Sequence, residues 1–398
     1  MMKKVALLFS ISYKAPNGAS RFVHTFVDKK DFFANKQIDF HVYAPDVFQE
    51  CDFSQNNRSR NRKHIIKKYL FKIFNNSSLL TILYDYFVEA RTARIIVNNY
   101  LKQNFNDNLV HCQEDQTAYY LLKKKKNIKI IHTFHNDGKD YEIYYASRPA
   151  LNSWLGRKYL SNRYDYIIKN ADKLGFVSKR SMDIFCQRHP EVVNKTFYVY
   201  NGIADAPLRH QYSNSNENII TFICVASINE NKNQRSIIEA VRIIPDDMRS
   251  RIELLIVGDG EERKNLEMMS NDYNLTNVLF MGNCNNVTEL LAKSDVFILV
   301  SKSEGLPISV IEAMREGLPI IGSNAGGIPE LVINGVNGFV TETDPSNIAH
   351  SMLRMIEMGA HIRSEYGNKS YEFFKEKFSD QVMFNSYAEV YYKLLNGS

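Results

Sequence analysis

Short, apolar, β-rich runs alternate with longer helix-patterned stretches along the whole chain, and this rhythm constrains the fold more than any other feature. The strand candidates of the first half are VALLFSI (5–11), FHVYA (40–44), LVHC (109–112), IKIIHTF (128–134), LGFVS (174–178) and TFYVYN (196–201). Those of the second half are ITFICVAS (220–227), IELLIVG (252–258), VLFMG (278–282), VFILVS (296–301) and LPIIGS (318–323). Apolar strands joined by crossover helices form parallel sheets covered on both faces. The expected fold class is therefore α/β. With roughly 100–200 residues per domain, 398 residues make about two domains, each able to bury a core. The polar stretch DAPLRHQYSNSNEN (205–218), with Pro207, reads as the linker between them. The expected plan is a doubly wound domain over 1–204, a linker over 205–218, a second doubly wound domain over 219–377 and an amphipathic helix in 378–398. Ligands of such sheets bind in the crevice at the strand ends.

Charge divides the chain. Residues 1–200 hold 33 Lys+Arg against 18 Asp+Glu, while residues 201–398 hold 17 against 26. The basic residues gather in RSRNRKHIIKKYLFK (58–72) and KKKK (123–126). Ile65, Ile66, Tyr69, Leu70 and Ile73 fall on one helical face, flanked by Lys63, Lys67 and Lys72. That pattern fits a membrane-surface helix, where each Lys or Arg near anionic lipid contributes about 1 kcal/mol. It fits equally a core-packing helix with a solvated basic back. The basic runs lack interleaved aromatics and any recognition motif, which argues against nucleic acid. The five cysteines, at 51, 112, 186, 224 and 284, are scattered without a C-x-x-C, as expected in a reducing compartment with neither disulfides nor a cysteine metal site. No apolar run approaches the ~18 residues that span a bilayer. MMKKVALLFSIS superficially mimics a signal peptide, but it lacks a small-residue cleavage site and fits a first buried strand better.

The residues that carry chemistry concentrate in SKSEGLPISVIEAMREGLPIIGSNAGGIPE (301–330). Glu304, Gly305 and Pro307 sit in a loop after an apolar run, and Glu312 lies on the helical stretch that follows. Gly305 lets backbone amides approach a ligand, and a helix N-terminus favours phosphate. Carboxylates accept hydrogen bonds from several hydroxyls, so paired acids flanking a phosphate site suit a sugar–nucleotide. The bland alternative is a βαβ turn bearing two solvated glutamates.

The segment resembles the E-x7-E signature of the glycosyltransferase family 4 group, retaining enzymes of the GT-B fold. Glu304 and Glu312 match the two acids, followed by EAM (312–314), GLPII (317–321) and a GGIPELV-NG--GF stretch (Gly326 to Phe339). The resemblance implies two Rossmann-like domains facing a central cleft, the first binding acceptor and the second binding donor. It also implies that the C-terminal helix crosses back to the first domain. ASINENKNQRSIIEA (226–240) is similar to the family's G-R-L-x-x-x-K-G stretch and puts Lys232 on the family lysine, which would neutralise the departing diphosphate. Ser227 stands where arginine is usual, replacing a bidentate cationic fork with one neutral hydroxyl. PNGASRF (16–22) is similar to the family's glycine-rich loop, with Asn17 for the first glycine and Gly18 retained. His135, at the end of HTFH (132–135), looks like the histidine near the transferred sugar, whereas His132 reads as structural. YNGIA (200–204) resembles P-N-G-V-D near the hinge, with Tyr200 for proline, and reads as a domain-closing turn. GDGEER (258–263) fails G-x-G-x-x-G at Arg263 and reads as a tight turn.

These features imply a retaining glycosyltransferase that moves a hexose from a UDP-sugar to a hydroxyl of a glycan or lipid-linked glycan, in cell-surface polysaccharide assembly. Glu304, Lys232 and His135 would serve the chemistry. Gly18, Ser227, Lys232, Glu304, Gly305, Leu306, Pro307, Ile308, Ser309 and Glu312 would bind the donor. No D-x-D motif occurs, and neither a metal nor a cofactor is expected. The expected location is cytoplasmic or peripheral on the inner face of a membrane, with an anionic membrane surface as partner of the basic half. Two other readings remain at this point, a GT-B-fold sugar-nucleotide epimerase and a non-catalytic accessory subunit.

Overall fold

A computed structural model of the protein describes residues 2–10, 25–27, 29–44, 77–102, 107–124, 127–142, 144–145, 148–207 and 219–396. The glycine-rich loop with Gly18, the basic stretch 58–72, part of KKKK (123–126) and most of the linker lie outside them.

The chain divides into two compact units. Unit 1 comprises Met1–Val199 with Asn385–Ser398, and unit 2 comprises Tyr200–Phe384. The boundary falls at 199 rather than 204 because YNGIA is bonded into unit 2. There the Tyr200 hydroxyl donates to Glu330 at 2.6 Å, and Asn201 Nδ2 donates to the Leu306 carbonyl at 2.9 Å. Residues 378–384, expected to pack with the first domain, likewise belong to unit 2, where Ile203 and Ser379 form a parallel bridge.

Unit 1 is built on β1 (Lys3–Leu8), β2 (Ile38–Tyr43), β3 (Leu109–Cys112), β4 (Lys129–Phe134), β5 (Lys173–Phe176) and β6 (Thr196–Tyr198), in spatial order β2-β1-β3-β4-β5-β6. Unit 2 is built on β7 (Ile220–Val225), β8 (Ile252–Val257), β9 (Val278–Gly282), β10 (Val296–Leu299), β11 (Ile320–Ser323) and β12 (Gly338–Thr341), in order β12-β11-β10-β7-β8-β9. Every pairing is parallel. The eleven apolar runs all form strands. β12 is the addition, whose GFVT sequence holds only two large apolar residues and so leaves no run of its own. Strands β3, β10 and β11 are buried along their whole length, as an α/β sheet covered on both faces requires.

Each sheet reverses its winding once, between β1 and β3 in unit 1 and between β7 and β10 in unit 2. The loops leaving the carboxyl ends of those neighbours diverge to opposite faces and open a crevice, the position at which such sheets hold ligands.

The helix Asp380–Asn396 explains why unit 1 needs the end of the sequence. Asp380, Met383, Phe384, Tyr387, Ala388 and Tyr391 are buried, a stripe at helical period. Tyr387 lies 5.7 Å from Phe26 between ring centroids, and Tyr391 lies 6.3 Å from Phe33 and 6.4 Å from Phe40. Burying an aromatic side chain of this size contributes on the order of 1.5–3 kcal/mol, so the pair is a substantial part of that core.

Candidate active site

In unit 2 the two loops at the switch point carry the residues of interest. The loop after β10 runs through Ser301–Pro307 into the helix Ile308–Arg315, and the loop after β7 runs through Ala226–Asn233 into the helix Gln234–Ile243. The Lys232 ammonium donates to the Glu304 carboxylate across them. Glu304 is only 9 % exposed and Lys232 is half-buried, so the pair is largely shielded from water. Glu312 sits half-buried on the helix Ile308–Arg315, whose Val310, Ile311, Ala313 and Met314 face the core.

The loop holding Glu304 is fastened by its carbonyls. Ser323 Oγ donates to the Ser301 carbonyl at 2.7 Å, Asn231 Nδ2 to that of Ser303 at 3.0 Å and Asn201 Nδ2 to that of Leu306 at 2.9 Å. The Gly327 amide donates to the Gly305 carbonyl at 2.9 Å. Gly326 has φ +47°, and a Cβ there would lie 1.5 Å from the Glu304 carbonyl oxygen, so any other residue would push the loop away. With the carbonyls taken up from behind, the opposite polarity is left for the front of the loop. The first N–H groups of the helix Ile308–Arg315 have no partner within the helix, and its dipole adds partial positive charge there. Gly305, Leu306, Pro307, Ile308 and Ser309 form this turn, whose chemistry suits an anion such as a diphosphate.

Ser227 is exposed and its hydroxyl accepts a hydrogen bond from Asn229 Nδ2 at 3.0 Å, while Asn229 Oδ1 accepts from the Lys232 amide at 3.0 Å. The residue in place of the family arginine thus belongs to the hydrogen-bonded turn that sets the direction of Lys232. GDGEER packs behind it as a tight turn. A Cβ on Gly258 or Gly260 would stand 2.0 Å from the carbonyls of Ala226 and Ile228 respectively, and the Ile228 amide donates to Asp259 at 3.0 Å. The hydrogen-bonding roles of Asn201, Asn229 and Asn231 did not emerge from sequence, although Asn201 lies in the YNGIA turn. Their only mark there is an N-G pair and an N-E-N run, without periodicity.

In unit 1 the corresponding strand ends carry histidines. His135 follows β4 and is exposed, and its Nε2 lies 2.7 Å from Gln113 Oε1. Although the residue keeps exposed surface, desolvation of the ring and then the charge of neighbouring His132 lower its pKa, so the ring is neutral at neutral pH. His132 is fully buried, with Nδ1 3.3 Å from the Cys112 carbonyl and Nε2 3.0 Å from Asp115. Asp115 also accepts from the Tyr144 hydroxyl at 2.8 Å. Burial alone would raise the Asp115 carboxyl, but the hydrogen bond and charge of His132 overcome it and hold the group below its ordinary range. His132 is accordingly a buried structural residue hydrogen-bonded to Asp115, while His135 lies at the exposed end of the strand.

Comparison with known proteins bears on both units. The family model described as "Glycosyltransferase Family 4" matches residues 16–206, and that described as "Glycosyl transferases group 1" matches residues 206–373. The N-acetyl-alpha-D-glucosaminyl L-malate synthase of Bacillus anthracis is 29 % identical over 69 % of this chain and 71 % of its own length. The Escherichia coli UDP-Gal:alpha-D-GlcNAc-diphosphoundecaprenol alpha-1,3-galactosyltransferase is 34 % identical over 35 % of this chain and 37 % of its own. Among solved structures, Anabaena HepE in complex with UDP and glucose superposes with a TM-score of 0.67 at 17 % identity, covering 98 % of this chain and 99 % of that one. At that identity the likeness establishes the fold, which is GT-B.

Proposed function

The chain belongs to glycosyltransferase family 4, and from that premise we propose that it is a retaining, metal-independent enzyme transferring a hexose from a UDP-sugar to a hydroxyl of a glycan or lipid-linked glycan. The observation that carries this reading is the shielded Lys232–Glu304 pair beside the N-terminus of the helix Ile308–Arg315. An ammonium has three N–H donors, so Lys232 can keep Glu304 in place while turning donors to a diphosphate. The backbone amides of Gly305, Leu306, Ile308 and Ser309 hold the same diphosphate, Pro307 having no N–H to give. Glu312 takes the ribose hydroxyls, and Glu304 takes sugar hydroxyls or supports positive charge at the reacting carbon.

In the proposed reaction the bond from the anomeric carbon to the β-phosphate oxygen breaks through an oxocarbenium-like state. The acceptor oxygen bonds to the same face, and its proton passes to the departing phosphate. Negative charge grows on the leaving group as the bond breaks. A fixed lysine and fixed amide dipoles therefore lower the transition state more than the ground state. Neutral His135 of unit 1 is the proposed hydrogen-bonding partner of the transferred sugar.

A UDP donor and a lipid-diphosphate acceptor are what the name of the Escherichia coli relative states for that enzyme, and this supports the same classes here. The proposed setting is cell-surface polysaccharide assembly on the cytoplasmic face of a membrane, with an anionic lipid surface as partner of unit 1. An exposed stripe supports it. Leu79, Leu83, Tyr86 and Phe87 recur at helical spacing on the helix Ser78–Tyr84 and the π-turn Asp85–Glu89 that continues it. Trp154 is 71 % exposed, and Lys158 stacks over its ring at 5.1 Å. Amphipathic aromatics beside cations are the side chains that favour a lipid headgroup layer. No described helix is long and apolar enough to cross a membrane.

The test is nucleotide release by the purified protein across UDP-, GDP- and ADP-sugars, with and without EDTA. Slow hydrolysis of a UDP-hexose that survives EDTA and disappears in Glu304→Ala is the expected result. Loss of activity in EDTA would overturn metal independence, and an altered nucleotide-sugar released without a second sugar would make the enzyme an epimerase.

A further inference from the structure

The two loops at the switch point of unit 2 run side by side in parallel, three residues against three. Glu230 meets Lys302, Asn231 meets Ser303 and Lys232 meets Glu304, each pair 72 positions apart in the sequence. Lys302 Nζ lies 3.0 Å from Glu230 Oε1, and the Lys302 amide donates to the Asn231 carbonyl at 2.8 Å. Asn231 Nδ2 returns a bond to the Ser303 carbonyl at 3.0 Å. The ion pairs at the two ends of this clasp differ in polarity and in surroundings. In the inner pair the lysine comes from the first loop and the acid from the second, and both are shielded. In the outer pair the order is reversed, and the Lys302 and Glu230 side chains are 49 and 84 % exposed.

The inner pair alone brings no net charge to an anion. Glu304 matches the charge of Lys232, and Ser227, in the place of the family arginine, adds only a neutral hydroxyl. A sugar-bound diphosphate is already anionic and becomes more so as the sugar leaves. Lys302 is the next cation along the loop that bears Glu304, and its backbone is fastened to the residue before Lys232. Its hold on Glu230 is weak, because water screens an exposed pair and two long side chains lose freedom in forming it. A lysine is a point charge on a flexible four-carbon stem, so it exchanges partners without moving its loop. Glu230, once released, keeps its hydration.

We infer that Lys302 is a second phosphate-binding cation of the donor site, drawn from Glu230 to the diphosphate when a nucleotide-sugar binds. It supplies the charge that Ser227 withholds. Glu230 is then a competitor for the lysine rather than a support, and by recapturing it eases release of the nucleoside diphosphate. The inference deepens the proposed function, since it rests on unit 2 binding a nucleoside diphosphate.

Calorimetric titration of the full chain with UDP and with uridine tests it. Lys302→Met should weaken UDP about five- to tenfold and leave uridine unchanged, as expected for one charge-assisted bond at an exposed site. The remaining affinity should fall less steeply with added salt than that of wild type. Lys302→Arg should retain most of the affinity. Glu230→Gln should act in the opposite direction and strengthen UDP binding about two- to threefold, because the lysine is no longer held elsewhere. That gain should be lost when Lys302→Met is added. Both side chains are exposed, so the variants should keep the wild-type urea midpoint. A pair that merely latches the loops predicts equal weakening by Lys302→Met and Glu230→Gln. That result, or unchanged UDP affinity in Lys302→Met, would overturn the inference and leave Lys232 and Glu304 as the donor residues. A gain from Glu230→Gln that persists without Lys302 would reduce it to simple repulsion and overturn the exchange. A wild type that binds none of UDP, GDP and ADP would bring down the proposed function and this inference together.

Discussion

The two units solve the same problem, holding polar groups still at the end of a parallel sheet, by different means. Unit 2 does it with backbone carbonyls and neutral side-chain amides from Asn201 and Asn231, a glycine at φ +47° and one ion pair. Unit 1 does it with buried titratable groups. His111, His132 and Asp115 lie behind its strand ends. Asp85 is held by Arg148 at 3.1 Å, Arg163 at 2.9 Å and the Tyr159 hydroxyl at 2.5 Å. Neutral amide clamps are indifferent to pH and fail by geometry. Charged and imidazole networks fail when a proton is gained. The comparison therefore predicts that the units break differently.

The largest effect should separate the chemistry of the two. Lys232→Met is expected to lower kcat by about 10²–10³-fold, as does loss of a group that meets transition-state charge. His135→Gln removes one neutral hydrogen bond and should cost only about tenfold. Steady-state kinetics on the donor found by nucleotide release would compare them, and equal losses would end the distinction.

Next comes geometry. Gly326→Ala must place a methyl group where the Glu304 carbonyl stands, and a loss of about 2–4 kcal/mol in unit 2 stability with weakened UDP binding is expected. Gly359→Ala is the control. It shares a positive φ of +75° but has nothing within 4 Å of its Cβ, so only backbone strain of about 1 kcal/mol should appear. Urea melts and UDP titration of both variants would show whether the close approach, rather than the dihedral, governs the site.

Mild acid should then act on unit 1. Burial holds folded His111 well below its ordinary 6.5, so as pH falls beneath that value the unfolded chain binds more protons and stability is lost. Asp85 and Asp115 act only at lower pH and extend the loss there. Burial raises each carboxyl, but in Asp85 the Arg163 and Arg148 guanidiniums and in Asp115 the His132 ring overcome it, and both end below 3.8. Their stabilisation is present above that value and disappears as pH drops through the lower folded pKa. Trp154 is the one tryptophan of the chain and lies in unit 1, so its fluorescence follows that unit. Its urea midpoint should fall between about pH 6.5 and 5 while unit 2 peptides keep their protease protection. A parallel loss in both units would contradict the contrast.

The smallest effect expected is that of Tyr391→Phe, which removes the partner of His111 Nδ1 and should cost unit 1 about 1 kcal/mol without touching UDP binding by unit 2. Unchanged unit 1 stability would show that His111 tolerates the loss of that hydroxyl.

What sequence reveals follows the same line. The strands of both units were legible because a buried parallel strand leaves an apolar run, and only β12, in which Gly338 and Thr341 bracket two large apolar residues, did not do so. Glu304, Glu312 and Lys232 were legible because they lie on short, contiguous motifs beside their strands. The clamps were not. Asn201 reaches a carbonyl 105 positions away and Asn231 one 72 positions away, and although Asn201 lies in the YNGIA turn, no local pattern marks either partner. His135 could be singled out from HTFH, but Gln113, its hydrogen-bond partner, could not. That contact is set by two neighbouring parallel strands, and register across a crossover is written in no short stretch. Ser227 was noticed as a departure from the family arginine, and only the structure ties its hydroxyl to Asn229 and so to the turn before Lys232.

Unit 2 is one contiguous stretch, Tyr200–Phe384, whereas unit 1 is completed by residues on its far side. During synthesis the strands of unit 1 emerge first, yet His111, Phe33 and Phe40 must wait for Tyr391 until all of unit 2 has been made. Contacts of such sequence separation form late, because a long loop must close before they give anything back. Of the two units, unit 1 thus leaves the ribosome before unit 2 yet is finished after it, when the tyrosines near the end of the helix Asp380–Asn396 complete its core.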